Sequence, residues 1–459
     1  MKDFNIDMTK GSLFPKIIKF TIPVMLAGTL QLLYNASDMI VVGRFAEPGS
    51  LGAVGATSAL INLIVNVFIG LSVGGCVVAA RYYGQNNREG VSRTSNTAFM
   101  ISLISGCFLA VVGFFLARPL LTLMGTPDNV IDKSVLYMKI YFIGIPGNMV
   151  YNFGSAIMRG CGDTRRPLIY LSSSGLVNVL LNLLFVIVFK MGVAGVATAT
   201  IIAQALSAFM VFVYMIRTDA PCRISRSTLK ISKKELIMII KVGLPSGIQG
   251  SVFSISNVLI QSSVNSFGSV VMDGNTASGN LEGFIYTAMN SVAQAAMSFV
   301  SQNYGAGDFE RIKKTVVRCV LLATFAGILM STVAIGFSAP LLRLYINAEI
   351  PNPQVVHYGQ LRLMTVASMY FFCGIMDTLS FSVRGIGHST VSMIVSLLGA
   401  CLFRIVWIYT VFAADRSLLT LYLSYPISWA LTGTAHLNCL TVLYKKEKYR
   451  ISQYKEKTV

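Results

Sequence analysis

The chain has 459 residues, of which 54% are hydrophobic and 12% charged, about half the ~25% charged residues of soluble domains. That composition excludes an ordinary soluble enzyme or a solvated binding module. A net charge of +18 would suit nucleic acid, but the basic residues cluster between apolar runs, and that placement excludes it.

Twelve apolar runs follow one another, each near the ~20 residues that cross a bilayer as helix. They fall at about 16–43, 52–80, 95–117, 134–158, 167–190, 193–216, 236–266, 275–301, 315–338, 355–383, 390–413 and 418–443. The first begins near Ile17, has eleven successors and lacks a small-residue cleavage site, so it reads as a retained span and not as a removed leader. Most loops are short. The longest polar stretch, Arg217–Glu235, holds Pro221, two acidic and six basic residues and lies at the midpoint. The expected division is an amino-terminal six-helix lobe over 1–216, a cytoplasmic linker over 217–235, a carboxy-terminal six-helix lobe over 236–443 and a basic tail over 444–459.

Counting Lys and Arg by alternate loops gives 28 on the side of both termini and 8 on the other, with Arg404 left inside a span. The positive-inside rule puts the first side, and both termini, in the cytoplasm. The basic residues then serve as topology signals and contacts to anionic lipid. Eight cysteines, none in a C-x-x-C pair, and three dispersed histidines suggest buried hydrophobes and no metal site of Cys/His type.

The two halves repeat. Ile17-Ile18-Lys19 with Pro23 matches Ile239-Ile240-Lys241 with Pro245, at an offset of 222. Tyr83-Gly84 then Glu89 matches Tyr304-Gly305 then Glu310, and Pro119-Leu120-Leu121 matches Pro340-Leu341-Leu342, both at 221. Arg159-Gly160-x-Gly162 matches Arg384-Gly385-x-Gly387 at 225. Six spans per half give both halves one orientation, related by a pseudo-two-fold axis along the membrane normal. That architecture suits alternating access about a central site.

Of 19 acidic residues, Asp38, Glu282 and Asp377 fall inside apolar runs. A charge at that depth costs ~2.5 kcal/mol or more on insertion scales, so such residues are functional candidates by default. Tyr34 precedes Asp38 by four residues and shares its helix face. Pro23, further back, can bend the same helix. Asn178 and Asn182 share a face of the fifth span, and Thr200 follows in the sixth. Carboxylate, amide and hydroxyl oxygens are the hard ligands an alkali cation accepts, and a carboxylate removed from water also suits a proton carrier. Taken singly, an Asn in a membrane helix is as readily helix-packing glue.

The ordered set resembles the multidrug and toxic compound extrusion (MATE) family. It comprises the twelve spans, the paired Arg-Gly-x-Gly motifs, Gln302-Asn303-Tyr304-Gly305-Ala306-Gly307 after span eight, and Asp38 within Asn35–Gly43. The resemblance covers about the whole chain. It implies an antiporter driven by H+ or Na+, with an outward-facing V of two lobes and no cofactor. It also implies a cation site in the amino-terminal lobe, here Asp38, Asn178, Asn182 and Thr200, with Tyr34 and Asn152 as further members and Na+ as a possible ion at Asp38. Two departures are evident. Some members have a second acid where Asn182 stands, and some carry one early in span seven, near Phe253, where this chain is neutral. The repeat offset carries Asp38 onto Ile260, so the halves share a scaffold and not their chemistry.

Glu282, Asp377 and Phe253 are the expected substrate contacts in the second half. Aromatics such as Tyr34, Tyr137, Phe153, Phe284, Tyr286, Tyr370 and Phe371 are of the kind that stack on cations, though most should be core or lipid-facing. Arg159, Gly160, Gly162, Arg384, Gly385 and Gly387 are expected to build cytoplasmic turns, with the arginines on helix ends or lipid phosphate. They form no phosphate-cradling loop. The reading is a monomeric, multi-pass antiporter of the cytoplasmic (inner) membrane that exports small organic cations, with partners limited to such substrates and lipid. The alternative is a flippase for a lipid-linked saccharide, which should line its cavity with several basic residues. Arg404 is the one base expected inside the membrane, against three acids. A membrane enzyme lacks any nucleophile–base pair or metal cluster.

Overall fold

In a computed structural model, which describes residues 5–47, 50–224, 230–345 and 353–456, the chain is helical, with no strand among the described residues. Positions 225–229 of the expected linker and 457–459 of the expected tail lie outside them. The helices are α1 Leu13–Phe45, α2 Ser50–Gly84, α3 Arg88–Leu123, α4 Asp128–Gly160, α5 Arg165–Leu183, α6 Gly192–Arg217, α7 Lys233–Asn265, α8 Ser269–Ala306 and α9 Phe309–Gly336. Then come the short α10 Ser338–Arg343, α11 Pro353–Thr365, α12 Tyr370–Gly385, α13 Ser389–Ser396, α14 Phe403–Tyr409, α15 Val411–Ala414 and α16 Leu418–Glu456.

Nine described helical runs are long and apolar enough to cross a bilayer. In these, α5 continues through a π-helical turn, Leu184–Val188; α11 and α12 form one run, Pro353–Gly385; and α13 to α15 form another, Ser389–Ala414, around the π-helical turn Leu397–Leu402. The other three spans are α4, α8 and α16, of 33, 38 and 39 residues. Their lower apolarity follows from position: α4 packs on α2, α3 and α6, while α8 packs on α9, α11 and α12. A helix shielded from lipid by its neighbours tolerates polar side chains that bond within the bundle. α8 buries Asn275, Ser278, Glu282, Ser291, Gln302 and Asn303.

The contacts divide the chain into two compact units, 5–7 with Leu26–Ser251 and Met8–Met25 with Val252–456. Thus α1 changes allegiance two residues after Pro23, where the missing N–H interrupts the helix ladder.

Local devices recur in both units. Asn87 caps α3 by accepting from Gly90 N at 2.8 Å, and Asp308 caps α9 by accepting from Arg311 N at 2.9 Å. After α4, Gly162 takes φ +92° and its N–H bonds Arg159 O at 2.9 Å; after α12, Gly387 takes φ +98° and bonds Arg384 O at 2.8 Å. A side chain is disfavoured at that φ, which explains the last glycine of each Arg-Gly-x-Gly motif. The Gln302–Gly307 motif grips the chain's start within its own unit. Gln302 Oε1 accepts from Met8 N at 3.1 Å and Asn303 Nδ2 donates to Met8 O at 3.3 Å.

Candidate transport site

In the first unit, α1 carries Tyr34 and Asp38, α5 carries Asn178 and Asn182, and α6 carries Thr200 and Gln204. Each pair is four residues apart and shares a face. Gly175 fixes how α1 meets α5. A Cβ there would lie 1.9 Å from Tyr34 Cε2, so only glycine leaves room for the ring, and the Tyr34 hydroxyl donates to Ser172 O at 3.3 Å. One turn further along α1, Asp38 Oδ1 accepts from Asn182 Nδ2. The same amide group reaches Asn178 Oδ1 at 3.4 Å, and Asn178 Nδ2 donates to Thr200 Oγ1 at 3.4 Å. A continuous polar chain therefore runs Asp38–Asn182–Asn178–Thr200 across three helices.

Asn182 is fully buried, yet among the described residues its Oδ1 has no donor, and neither has Gln204 Oε1 one turn beyond Thr200. A buried acceptor left unsatisfied costs about 1–3 kcal/mol, and each such atom calls for an explanation such as an ion or a water. The donor set, one carboxylate with neutral amide and hydroxyl oxygens, fits an alkali cation. Tyr137 and Tyr141 of α4 lie near enough to feel the Asp38 charge. Asn152 stands outside this chain of bonds, its amide donating to Asn148 O and Oδ1 at 2.9 Å within α4. Gln204 and Tyr141 escaped the sequence reading. The signal for Gln204 was its place four residues after Thr200.

The second unit differs from expectation in its charges. Arg362 falls within the tenth expected span and Arg384 at its cytoplasmic end; both are buried side chains, as is Arg404. Arg404 is therefore not the one base inside the protein. α11 begins at Pro353, so Arg362 lies well along the tenth span. Its Nε and Nη2 donate to the two oxygens of Glu282 at 2.7 and 2.8 Å, and its Nη1 donates to Asn275 Oδ1 at 2.6 Å. Ser278 Oγ adds a third bond to Glu282 at 3.2 Å. Glu282 is thus a neutralised partner and not a free anionic group facing a cation. Asp377 stands beside Tyr286 and Asn290, and Arg384 is the cation that acts on it. Arg384, in the last turn of α12, lies over the Phe381 ring at 4.5 Å and reaches Ser392 Oγ at 3.4 Å, a contact within the protein rather than with lipid phosphate. Phe253 packs partly buried against the apolar core of its unit. Among the described residues no group of three or more His, Cys, Asp or Glu is placed to hold a metal.

Twelve spans in two similar halves, with ionisable groups buried in each, define a multi-pass membrane transporter. The MatE family profile matches twice, over residues 23–184 and 245–410, so that each matched segment opens on the proline of the repeat, and the chain belongs to that family of multidrug efflux transporters. The "Probable multidrug resistance protein YpnP" of Bacillus subtilis (strain 168) is 30% identical over 401 residues, 87% of this chain and 88% of its own length. The "Probable multidrug resistance protein YoeA" of the same organism is 26% identical over 386 residues, 83% of this chain and 82% of its own. Among solved structures, an outward-facing multidrug resistance MATE family transporter of the MOP superfamily superposes with a TM-score of 0.91. It is 20% identical and covers 98% of this chain and 100% of its own.

Proposed function

We propose that the chain is a secondary active antiporter that exports small organic cations and related drugs in exchange for H+ or Na+, by alternating access between its two lobes. It works as a monomer in the cytoplasmic (inner) membrane, with both termini in the cytoplasm and lipid around it, and needs no cofactor and no covalent chemistry. The observation that carries this reading is the Asp38–Asn182–Asn178–Thr200 chain with its orphaned Asn182 oxygen. The coupling ion, bound there, neutralises Asp38 and competes with substrate or changes the bend of α1 near Pro23. Differential binding of this kind is what shifts one conformation toward another. Asp377 is the acid in the second unit that attracts a cationic group, and Phe253 offers it an aromatic face. A flippase for a lipid-linked pyrophosphate is the poorer reading, because Glu282 neutralises Arg362 and a multiply charged group calls for several free bases. Proteoliposomes with Na+ and pH gradients imposed separately test the reading. Either gradient should drive uptake or release of a cationic dye, and dye movement insensitive to both would overturn antiport.

A further inference from the structure

The second unit buries three arginines, Arg362, Arg384 and Arg404, and two acids stand among them, Glu282 and Asp377. Glu282 belongs to Arg362, and Arg384 lies over Phe381 within the electrostatic reach of Asp377. Arg404 is the remainder. It is 2% exposed, and no carboxylate among the described residues lies within 4.0 Å of it. Its Nε donates to Ser428 Oγ at 3.0 Å, and its Nη1 reaches Asn257 Oδ1 only at 3.5 Å. The Tyr425 and Trp429 rings cover its face at 4.5 and 5.8 Å. These partners orient a guanidinium without neutralising it. An uncompensated charge in so dry a place is strongly unfavourable, and a bidentate anion is the partner its fork matches.

Position adds a second, independent point. The offset of 225 set by Gly162 and Gly387 carries Asn178 onto Phe403, so Arg404 is the next residue along the span that corresponds to α5. A π-helical turn, Leu397–Leu402, ends two residues before it, and such bulges are frequent at functional sites. Asn257, its distal contact, sits on an exposed face of α7, so the outer end of the guanidinium adjoins accessible surface.

We propose that Arg404, flanked by Asn257 and Ser428, is an anion subsite that takes the carboxylate or phosphate group of a transported organic molecule. The transporter then handles amphoteric and anionic compounds as well as cations. This rests on the antiport reading only for the movement of the ligand, not for its binding.

The test compares two dyes on one xanthene skeleton, fluorescein as its dianion and cationic rhodamine 6G, binding to the purified protein by anisotropy. Fluorescein should bind the wild type. Arg404→Gln should weaken it by about tenfold or more, the loss of a charge-assisted pair, and leave rhodamine 6G within about twofold. Asn257→Asp places a carboxylate beside the guanidinium. It should keep or raise the thermal stability and abolish fluorescein binding, which a variant that merely misfolds would not do. No fluorescein binding by the wild type, or equal binding by Asn257→Asp, overturns the subsite. Fluorescein binding without gradient-driven movement of either dye leaves the subsite standing and removes antiport. Gradient-driven rhodamine 6G export without fluorescein binding does the reverse.

Discussion

Tyr304, near the end of α8, donates its hydroxyl hydrogen to Glu447 at 2.7 Å. Tyr82, near the end of α2, does the same to Glu235 at 3.2 Å. Each half thus ties the end of its second span to a buried glutamate in the chain around or after its sixth. Both ties are reinforced by bases: Arg93 Nε on Glu235 at 3.2 Å, and His388 Nε2 and Arg450 on Glu447 at 3.0 Å each.

Glu447 lies beyond the span expected to end at 443, on the extension of α16. Burial pushes its carboxyl upward, but the bonds from Tyr304 and His388 and the charge of Arg450 prevail and hold it below the usual range. A lowered folded value means that the stabilisation is complete above the ordinary carboxylate pKa, about 4.3, and is lost as pH falls through the folded value. Thermal unfolding of the detergent-solubilised protein should therefore ease below that pH, and Glu447→Gln should lack this acid-side loss. At neutral pH, Glu447→Ala should destabilise by about 1–3 kcal/mol, because the buried Tyr304 hydroxyl loses its acceptor while the exposed Arg450 turns to water. An unchanged melting temperature for Glu447→Ala would show that the tie is ornamental.

The Glu282–Arg362 pair makes a sharper prediction. Breaking a buried pair from one side leaves an uncompensated charge and costs about 3–5 kcal/mol, whereas replacing both partners with well-packed neutral residues is often close to neutral. Glu282→Gln should accumulate poorly or melt early, and Glu282→Gln with Arg362→Met should recover most of the loss. Melting curves of the two variants decide it. Had Glu282 faced a cationic substrate unpaired, the single change would leave stability intact and selectively impair cation export.

The spans were legible in the sequence because length and apolarity are local properties, and even α4, α8 and α16 could be placed despite their polar content. The family was legible through the ordered motifs and the repeat. The charge pairs were not. Glu282 and Arg362 are eighty residues apart, and whether they meet depends on the rotation and depth of two packed helices, which no local pattern encodes. Gln354, His357 and Gln360 make the start of α11 polar, so nothing local marks Arg362 as buried. In the first unit the reading was better. Spacing of four had already put Tyr34 with Asp38 and Asn178 with Asn182, although only Gly175, by admitting the Tyr34 ring, explains how α1 comes to meet α5.

Membrane orientation is open to a direct check. The 28 to 8 distribution of Lys and Arg predicts that the linker faces the cytoplasm. Lys230 is exposed. In a variant stripped of its natural cysteines, Lys230→Cys should react with an impermeant maleimide in inverted vesicles and stay unlabelled in intact cells. Labelling from outside the cell would invert the topology and, with it, the expected direction of transport.

The proposed coupling rests on Asp38. Asp38 meets Asn182 directly, and through Asn178 the contact extends to Thr200, while the buried oxygens of Asn182 and Gln204 have no donors among the described residues. Asp38→Asn keeps the size of the side chain and a hydrogen-bonding oxygen for Asn182, so the fold should persist, with a melting temperature close to that of the wild type. It removes the one charge in the chain that a coupling cation would neutralise, and gradient-driven export should fall to background. The neutral ligands separate the two ions. A proton needs only the carboxylate, whereas Na+ needs several oxygens at once. Under a Na+ gradient alone, Asn182→Ala and Gln204→Ala should each raise the Na+ concentration for half-maximal export by about tenfold, the scale on which losing one ordered ligand changes affinity. Under a pH gradient alone they should export nearly normally. Loss under both gradients would make the two amides structural, and full export by Asp38→Asn under either gradient would remove Asp38 from the coupling mechanism.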